Sequence, residues 1–127
     1  MIVVDSSVAV QALLDDKEAL HYVNAGKLIA PHLIEVEVLH AMRRLEAQKG
    51  EDTVDANCFI RRWKRFDVQL FDIRGLLKRV WALRHNISAY DASYVASAEF
   101  LNCPLVTTDK RLAAAPGPTC IITLIAD

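Results

Sequence analysis

Cysteine is scarce in this chain: Cys58, Cys103 and Cys120 are the only three, widely spaced and without a C-x-x-C pair. An odd count with no framework excludes a disulfide-stapled scaffold and reads as reduced, intracellular and structural. Net charge is nearly absent, −1 with histidine neutral. No global field therefore draws the chain to nucleic acid, and a polyanion would have to be met by a local basic patch or a metal ion. No apolar run approaches the roughly 20 residues that span a bilayer. No basic leader precedes the first apolar stretch, and Asp5 interrupts it, so a secretory signal is not expected. Linkers, repeats and low-complexity segments are missing as well. The expectation is a cytoplasmic protein with no membrane contact.

What is present is a chain of 127 residues, 53% of them hydrophobic. That length buries a substantial core without staples and argues for one domain, residues 1–127. The chain opens on Met1-Ile2-Val3-Val4, a short apolar run that reads as a strand covered on both faces and that leads straight into Asp5. Val8 to Leu14 reads as a short helix with Asp5 or Ser6 able to cap it, and residues 16–25 as a second helix stopped by Gly26. Lys27 to Ala30 is the second strand, closed by Pro31. A long helix from His32 to Lys49 carries Ile34, Val38, Ala41, Met42 and Leu45 on one face. A fourth helix is expected over residues 52–65.

Val68 to Ile73 supplies a third strand and Arg74 to Arg84 a helix. Ser88 opens a helix through Leu101. Pro104 to Thr107 is the fourth strand, Lys110 to Ala114 a short helix, and Cys120 to Ile125 the fifth strand. Strands alternating with helices predict parallel βαβ units in an α/β fold, a three-layer α/β/α sandwich around a five-stranded parallel sheet.

In a parallel sheet all carboxyl ends share one rim, the usual ligand side of open α/β folds. Asp5 and Asp109 follow strands one and four there. Asp91, in the first turn of the helix feeding strand four, starts at the same rim by connectivity. Each acid also has a local reading: Asp5 and Asp109 can cap the helices that follow them, and Ser88 with Asp91 fits a capping box. The fourth acid lies on the long helix, where Glu35 and Glu37 flank the apolar centre about equally. The helical period cannot choose between them.

Bunched carboxylates repel one another, and a cation relieves that repulsion. An oxygen-only set without a Cys or His cluster selects Mg²⁺, or Mn²⁺, over zinc. Such an ion activates water and stabilises in-line displacement at phosphorus.

Along the whole chain these residues resemble the PIN-domain family, and within it the VapC-type toxin ribonucleases. The resemblance runs through IVVDSSVAV, then APHLIEVEVLHAM, then SAYDASYVASAEFLNCPLVTTDKRLA. The family pattern places a Glu six residues after the Pro, which chooses Glu37 over Glu35. Met42 stands where Leu is usual, a minor packing change. The resemblance implies that Asp5, Glu37, Asp91 and Asp109 form an acidic Mg²⁺ site, with Ser7 and Thr107, and more weakly Ser6, as hydroxyls that orient it. It implies a sheet in order 3-2-1-4-5, single-stranded or structured RNA as substrate, a homodimer, and a VapB-type antitoxin protein that occludes the cleft.

Arg61-Arg62-Trp63-Lys64-Arg65 is the densest basic run. Arg61, Arg62, Lys64 and Arg65 could meet RNA phosphates, while Trp63 is read as turned to the core. Arg43, Arg44, Arg84 and His85 could meet RNA or an acidic antitoxin segment. His40 and Tyr94 are read as packed, Tyr90 as bordering the cleft, and Cys58 as core. Two other functions compete. A receiver-like signalling domain has similar length, but it needs an adjacent acidic pair where this chain has Asp5-Ser6-Ser7, and a Lys after the last strand. The other is a catalytically silent PIN-fold binding module, against which the intact acids speak.

Overall fold

β-Branched side chains fit a pleated surface covered on both sides, and Ile2–Val4 (β1) takes that place with Val3 and Val4 fully buried. The structure, a computed structural model, describes residues 1–50 and 55–126. β1 is the central strand of a five-stranded sheet. Leu28–Pro31 (β2) and Leu105–Thr107 (β4) flank it, and Val68–Phe71 (β3) and Ile122–Leu124 (β5) form the edges. Every pairing is parallel, with Val3 opposite both Ile29 and Leu105. The order β3-β2-β1-β4-β5 is the one the resemblance implied. It differs from the 2-1-3-4-5 order of the flavodoxin-like sheet, so the receiver-like alternative is excluded by topology.

The helices begin where local chemistry supplies a cap. Ser6–Leu13 (α1) starts after Asp5, whose carboxylate accepts from the Val8 N–H at 3.3 Å. Lys17–Asn24 (α2) starts after Asp16, which accepts from Ala19 at 2.9 Å. Ile34–Lys49 (α3) buries Ile34, Val38 and Met42 and ends at Gly50, whose φ of 95° suits glycine. Ala56–Arg65 (α4) is capped by Asp55. The helix expected from residue 52 thus begins later, and its residues 52–54 lie outside the described residues.

Leu77–Ala82 (α5) is shorter than the helix expected over Arg74 to Arg84. The Asp72 carboxylate accepts from the Arg74 N–H at 2.9 Å, which ends β3 at Phe71 and turns the chain into a single 3₁₀ turn, Arg74–Leu76. Ala89–Leu101 (α6) buries every residue from Ala92 to Ala98, because it lies against β1, β2 and β4 with α5 beside it. It stops at Asn102 in the left-handed conformation, φ 53°. Lys110–Ala114 (α7) follows Asp109. Pro31, expected to close β2, is its last residue, where a missing N–H costs least. β5 is trimmed to Ile122–Leu124 from the expected Cys120 to Ile125.

This topology sets up the site. α1, α3 and α7 each leave a strand's carboxyl end, and α6 runs back from the same rim into β4. The starts of these four helices therefore gather at one edge of the sheet.

Candidate active site

Asp5 is buried, and its two carboxylate oxygens are held from both sides. Ser7 Oγ donates to Oδ1 at 2.5 Å, and Thr107 Oγ1 donates to Oδ2. The same hydroxyls accept from the neighbouring strand end: Ser7 Oγ from the Thr108 N–H at 3.1 Å, Thr107 Oγ1 from the Asp109 N–H at 3.0 Å. The parallel pairing of β1 with β4 makes this exchange possible, and it couples Asp5 to the backbone that carries Asp109. Burial pushes the Asp5 carboxyl up from its ordinary value, against the pull of hydrogen bonds from Ser7, Thr107 and the Val8 amide.

The two glutamates of α3 part company in three dimensions. Glu35 accepts from Trp63 Nε1 at 2.9 Å and so anchors α4. Glu37 turns the other way and accepts from the Tyr94 hydroxyl of α6 at 2.5 Å. Burial raises the Glu37 carboxyl, the Tyr94 bond lowers it, and the charges of Asp91 and Asp5 raise it again; the net shift is upward. Tyr94 is itself pushed far up by burial and by its bond to Glu37, so its proton stays in place as a donor. The Ser6 hydroxyl lies beside that of Tyr94 and pulls its value down, against those larger effects. Tyr94 packs in the core, as expected from the sequence, but its hold on Glu37 was not foreseen. The missed signal is a tyrosine three residues after Asp91, on the same helical face.

Asp91 lies half-buried in the first turn of α6, its N–H donating to Ser88 Oγ at 3.1 Å. Its carboxyl is raised by burial first, then by the charges of Asp5 and Asp109, with the Ser88 hydroxyl pulling it down. Asp109 Oδ1 accepts from the Arg111 N–H at 2.8 Å and the Leu112 N–H at 3.3 Å as the cap of α7. All four acids thus sit at a helix N-terminus: Asp5 and Asp109 as caps, Glu37 and Asp91 in first turns. Capping and convergence are one arrangement, since the positive ends of four helix dipoles are what gather carboxylates on this edge. For Asp5, Glu37 and Asp91 desolvation still outweighs that help.

The donor set is oxygen only and carries four formal negative charges, which suits a hard divalent cation such as Mg²⁺ or Mn²⁺. As they stand, no three His, Cys, Asp or Glu side chains among the described residues are gathered tightly enough to hold a metal ion.

Beside Glu37 a cleft of about 510 Å³ opens, lined by Ser6, Val36, His40, Ala41, Arg44 and Tyr90. Tyr90 borders it, as expected. His40 departs from the packed reading: it is exposed in the cleft, because α3 turns its Val36–His40–Arg44 row outward. The basic run of α4 is not brought to the acids. Arg61, Lys64 and Arg65 line a separate depression with Asn57 and Ile60. Arg62 departs further from a phosphate-binding role: its guanidinium donates to the Leu13 carbonyl at 2.9 Å and pairs with Asp15 at 2.9 Å, closing the end of α1. Trp63 is buried, as read. Cys58 is exposed and not core, lining a shallow groove with Leu13, Leu14 and Met42.

A family model described as PIN domain matches residues 2–118. Ribonuclease VapC9 of Mycobacterium tuberculosis is 43% identical over 125 residues, which cover 98% of each chain. Ribonuclease VapC1 of the same organism is 39% identical over 134 residues, covering 97% of this chain and 96% of that protein. Among solved structures, PAE2754 from Pyrobaculum aerophilum superposes with a TM-score of 0.70 at 27% identity, over 95% of this chain and 89% of that one. VapBC2 from Rickettsia felis, bound to a DNA fragment from its promoter, gives a TM-score of 0.71 at 14% identity over 98% and 99% of the two chains, a likeness of fold alone.

Proposed function

The chain belongs to the PIN-domain family, in its VapC-type branch, and from that premise we propose that it is a divalent-metal-dependent endoribonuclease, the toxin of a VapBC pair. The observation that carries the reading is the meeting of Asp5, Glu37, Asp91 and Asp109 on one rim, each at the start of a helix, with Asp91 raised by the charges of Asp5 and Asp109. Relatives named as ribonucleases over nearly the whole chain support it.

In this reading the four carboxylates hold Mg²⁺ or Mn²⁺. The bound ion would supply a lowered water pKa and charge stabilisation at the scissile phosphate. The chain's own part is to place oxygens. Ser7 and Thr107 fix the Asp5 carboxylate, and Tyr94 fixes Glu37. Ser6 supports the site one step further out, through the Tyr94 hydroxyl. The partners that go with this function are RNA as substrate, a second copy of the chain, and a VapB-type antitoxin, and the compartment is the cytoplasm.

The deciding experiment is cleavage of a panel of RNAs with Mg²⁺, with Mn²⁺ and with excess chelator. Cleavage is expected with either ion and not with chelator. Asp5→Asn and Asp91→Asn are expected to abolish it while circular dichroism stays that of the wild type. Cleavage retained in both variants, or in chelator, sinks the proposal.

A further inference from the structure

The cleft beside Glu37 has a composition the acidic rim does not explain. At one end it touches Glu37 and Ser6, next to Asp5. From there α3 lays Val36, His40 and Arg44 along the cleft at four-residue intervals, one side chain per turn and about 6 Å apart. Across from them stands Tyr90, the residue before Asp91, with 66% of its surface exposed. Arg44 is exposed and takes part in neither ion pair found among the described residues, Arg62 with Asp15 and Arg79 with Glu99. Glu37 is two turns away, roughly 10 Å along the axis. The cleft therefore runs from an acidic end, through an apolar and aromatic middle, to an unpaired guanidinium.

We infer that this cleft receives one unpaired nucleotide beside the scissile phosphate, with Tyr90 stacking on its base and Arg44 meeting a neighbouring phosphate. The inference rests on the nuclease reading of the acidic rim and specifies what that site accepts. An exposed ring facing an apolar wall is the arrangement that grips a splayed base, whereas a base inside a duplex presents no free face to it. The volume, about 510 Å³, is in the range that encloses one small ligand. The polarity also runs the right way for a strand of repeated negative charge. The acidic end takes its phosphate together with a cation, and the far end supplies positive charge from the protein. Val36, 69% exposed beside Glu37, gives the base its second apolar contact.

The test measures both cleavage and fluorescence-anisotropy binding of a labelled oligoribonucleotide in three forms. One form is unpaired, one is annealed so that the mapped cleavage position lies in duplex, and one carries an abasic nucleotide beside that position. Tyr90→Ala is expected to weaken use of the unpaired form on the order of tenfold, with Tyr90→Phe restoring it. The abasic form should cost the wild type a similar factor and cost Tyr90→Ala nothing more, since the same contact is already gone. Arg44→Ala should weaken all forms and reduce the salt slope of binding by about one. Both positions are exposed, so the fold should tolerate the changes. Unchanged cleavage and binding in Tyr90→Ala and Arg44→Ala, with an active wild type, would overturn the subsite and leave the cleft to a protein partner. A wild type that neither binds nor cleaves any of the RNAs overturns the nuclease reading itself.

Discussion

Tyr94 and Glu37, 57 residues apart in sequence, share a 2.5 Å hydrogen bond that ties α6 to α3. Burial and the adjacent glutamate both push the phenol's value up, which favours the hydroxyl as a donor. Glu37 is therefore an acceptor fixed from one side, with its remaining lone pairs turned to the rim that carries Asp5 and Asp91. Tyr94→Phe keeps the ring in its packed slot and removes only this restraint. Its apparent affinity for Mg²⁺, read from the metal dependence of cleavage, is expected to fall about 10- to 100-fold. An unchanged metal titration would show that Glu37 needs no such support.

The division of labour between Glu35 and Glu37 can be separated by substitution. Glu35→Ala strips the acceptor from Trp63 Nε1 and is expected to cost about 1 kcal/mol in urea unfolding, with Mg²⁺-dependent cleavage kept. Glu37→Gln should do the reverse, losing cleavage with stability equal to the wild type or better. The opposite pattern in the two variants would mean that α3 presents the other glutamate to the rim.

The acidic rim is expected to weaken the metal-free fold at neutral pH. Asp5, Glu37 and Asp91 all have folded values raised above the ordinary carboxylate values. The folded state therefore binds more protons than the unfolded chain between the two values, and stability falls as pH rises through that window. The penalty is complete above the raised values and vanishes below the ordinary ones. Glu99 opposes this. Burial raises it, but hydrogen bonds from Arg79 and Thr119 bring it below its usual value, so its contribution is present above the ordinary value and lost in acid. With three groups against one, the melting temperature in chelator is expected to rise as pH falls from the raised values toward the ordinary carboxylate values. Asp5→Asn keeps the cap and removes a buried charge, so it should melt about 3 °C higher than wild type at pH 7 in chelator. A variant that melts lower there would contradict the desolvation argument.

The three cysteines should react in a set order. Cys58 is exposed, Cys103 is buried, and Cys120 is pushed up to about 11, chiefly by burial. A thiol reagent at neutral pH is expected to label Cys58 first, with cleavage unaffected because α4 lies away from the rim. Peptide mapping that found Cys103 labelled first would indicate that the β4–β5 side of the sheet opens.

Much of this protein was legible in its sequence, and the reason is range. Short β-branched runs, helix caps at Asp5, Ser88 and Asp109, and a stop at Gly50 depend on contacts within a few residues. They placed the strands, and with parallel connectivity they put Asp5, Asp91 and Asp109 on one rim. The sheet order and the choice of Glu37 came from likeness to a family, since no local period distinguishes one flank of a helix from the other. What only the tertiary structure decided is where side chains meet across the chain. Tyr94 reaches Glu37 because α6 packs against the sheet next to α3's start. Arg62 closes α1 although Arg61, Lys64 and Arg65 of the same run face solvent, and His40 lines a cleft although it reads as packed. Those outcomes depend on how one helix is rotated against another. Interdigitation of the whole core sets that rotation, and no window of a few residues contains it.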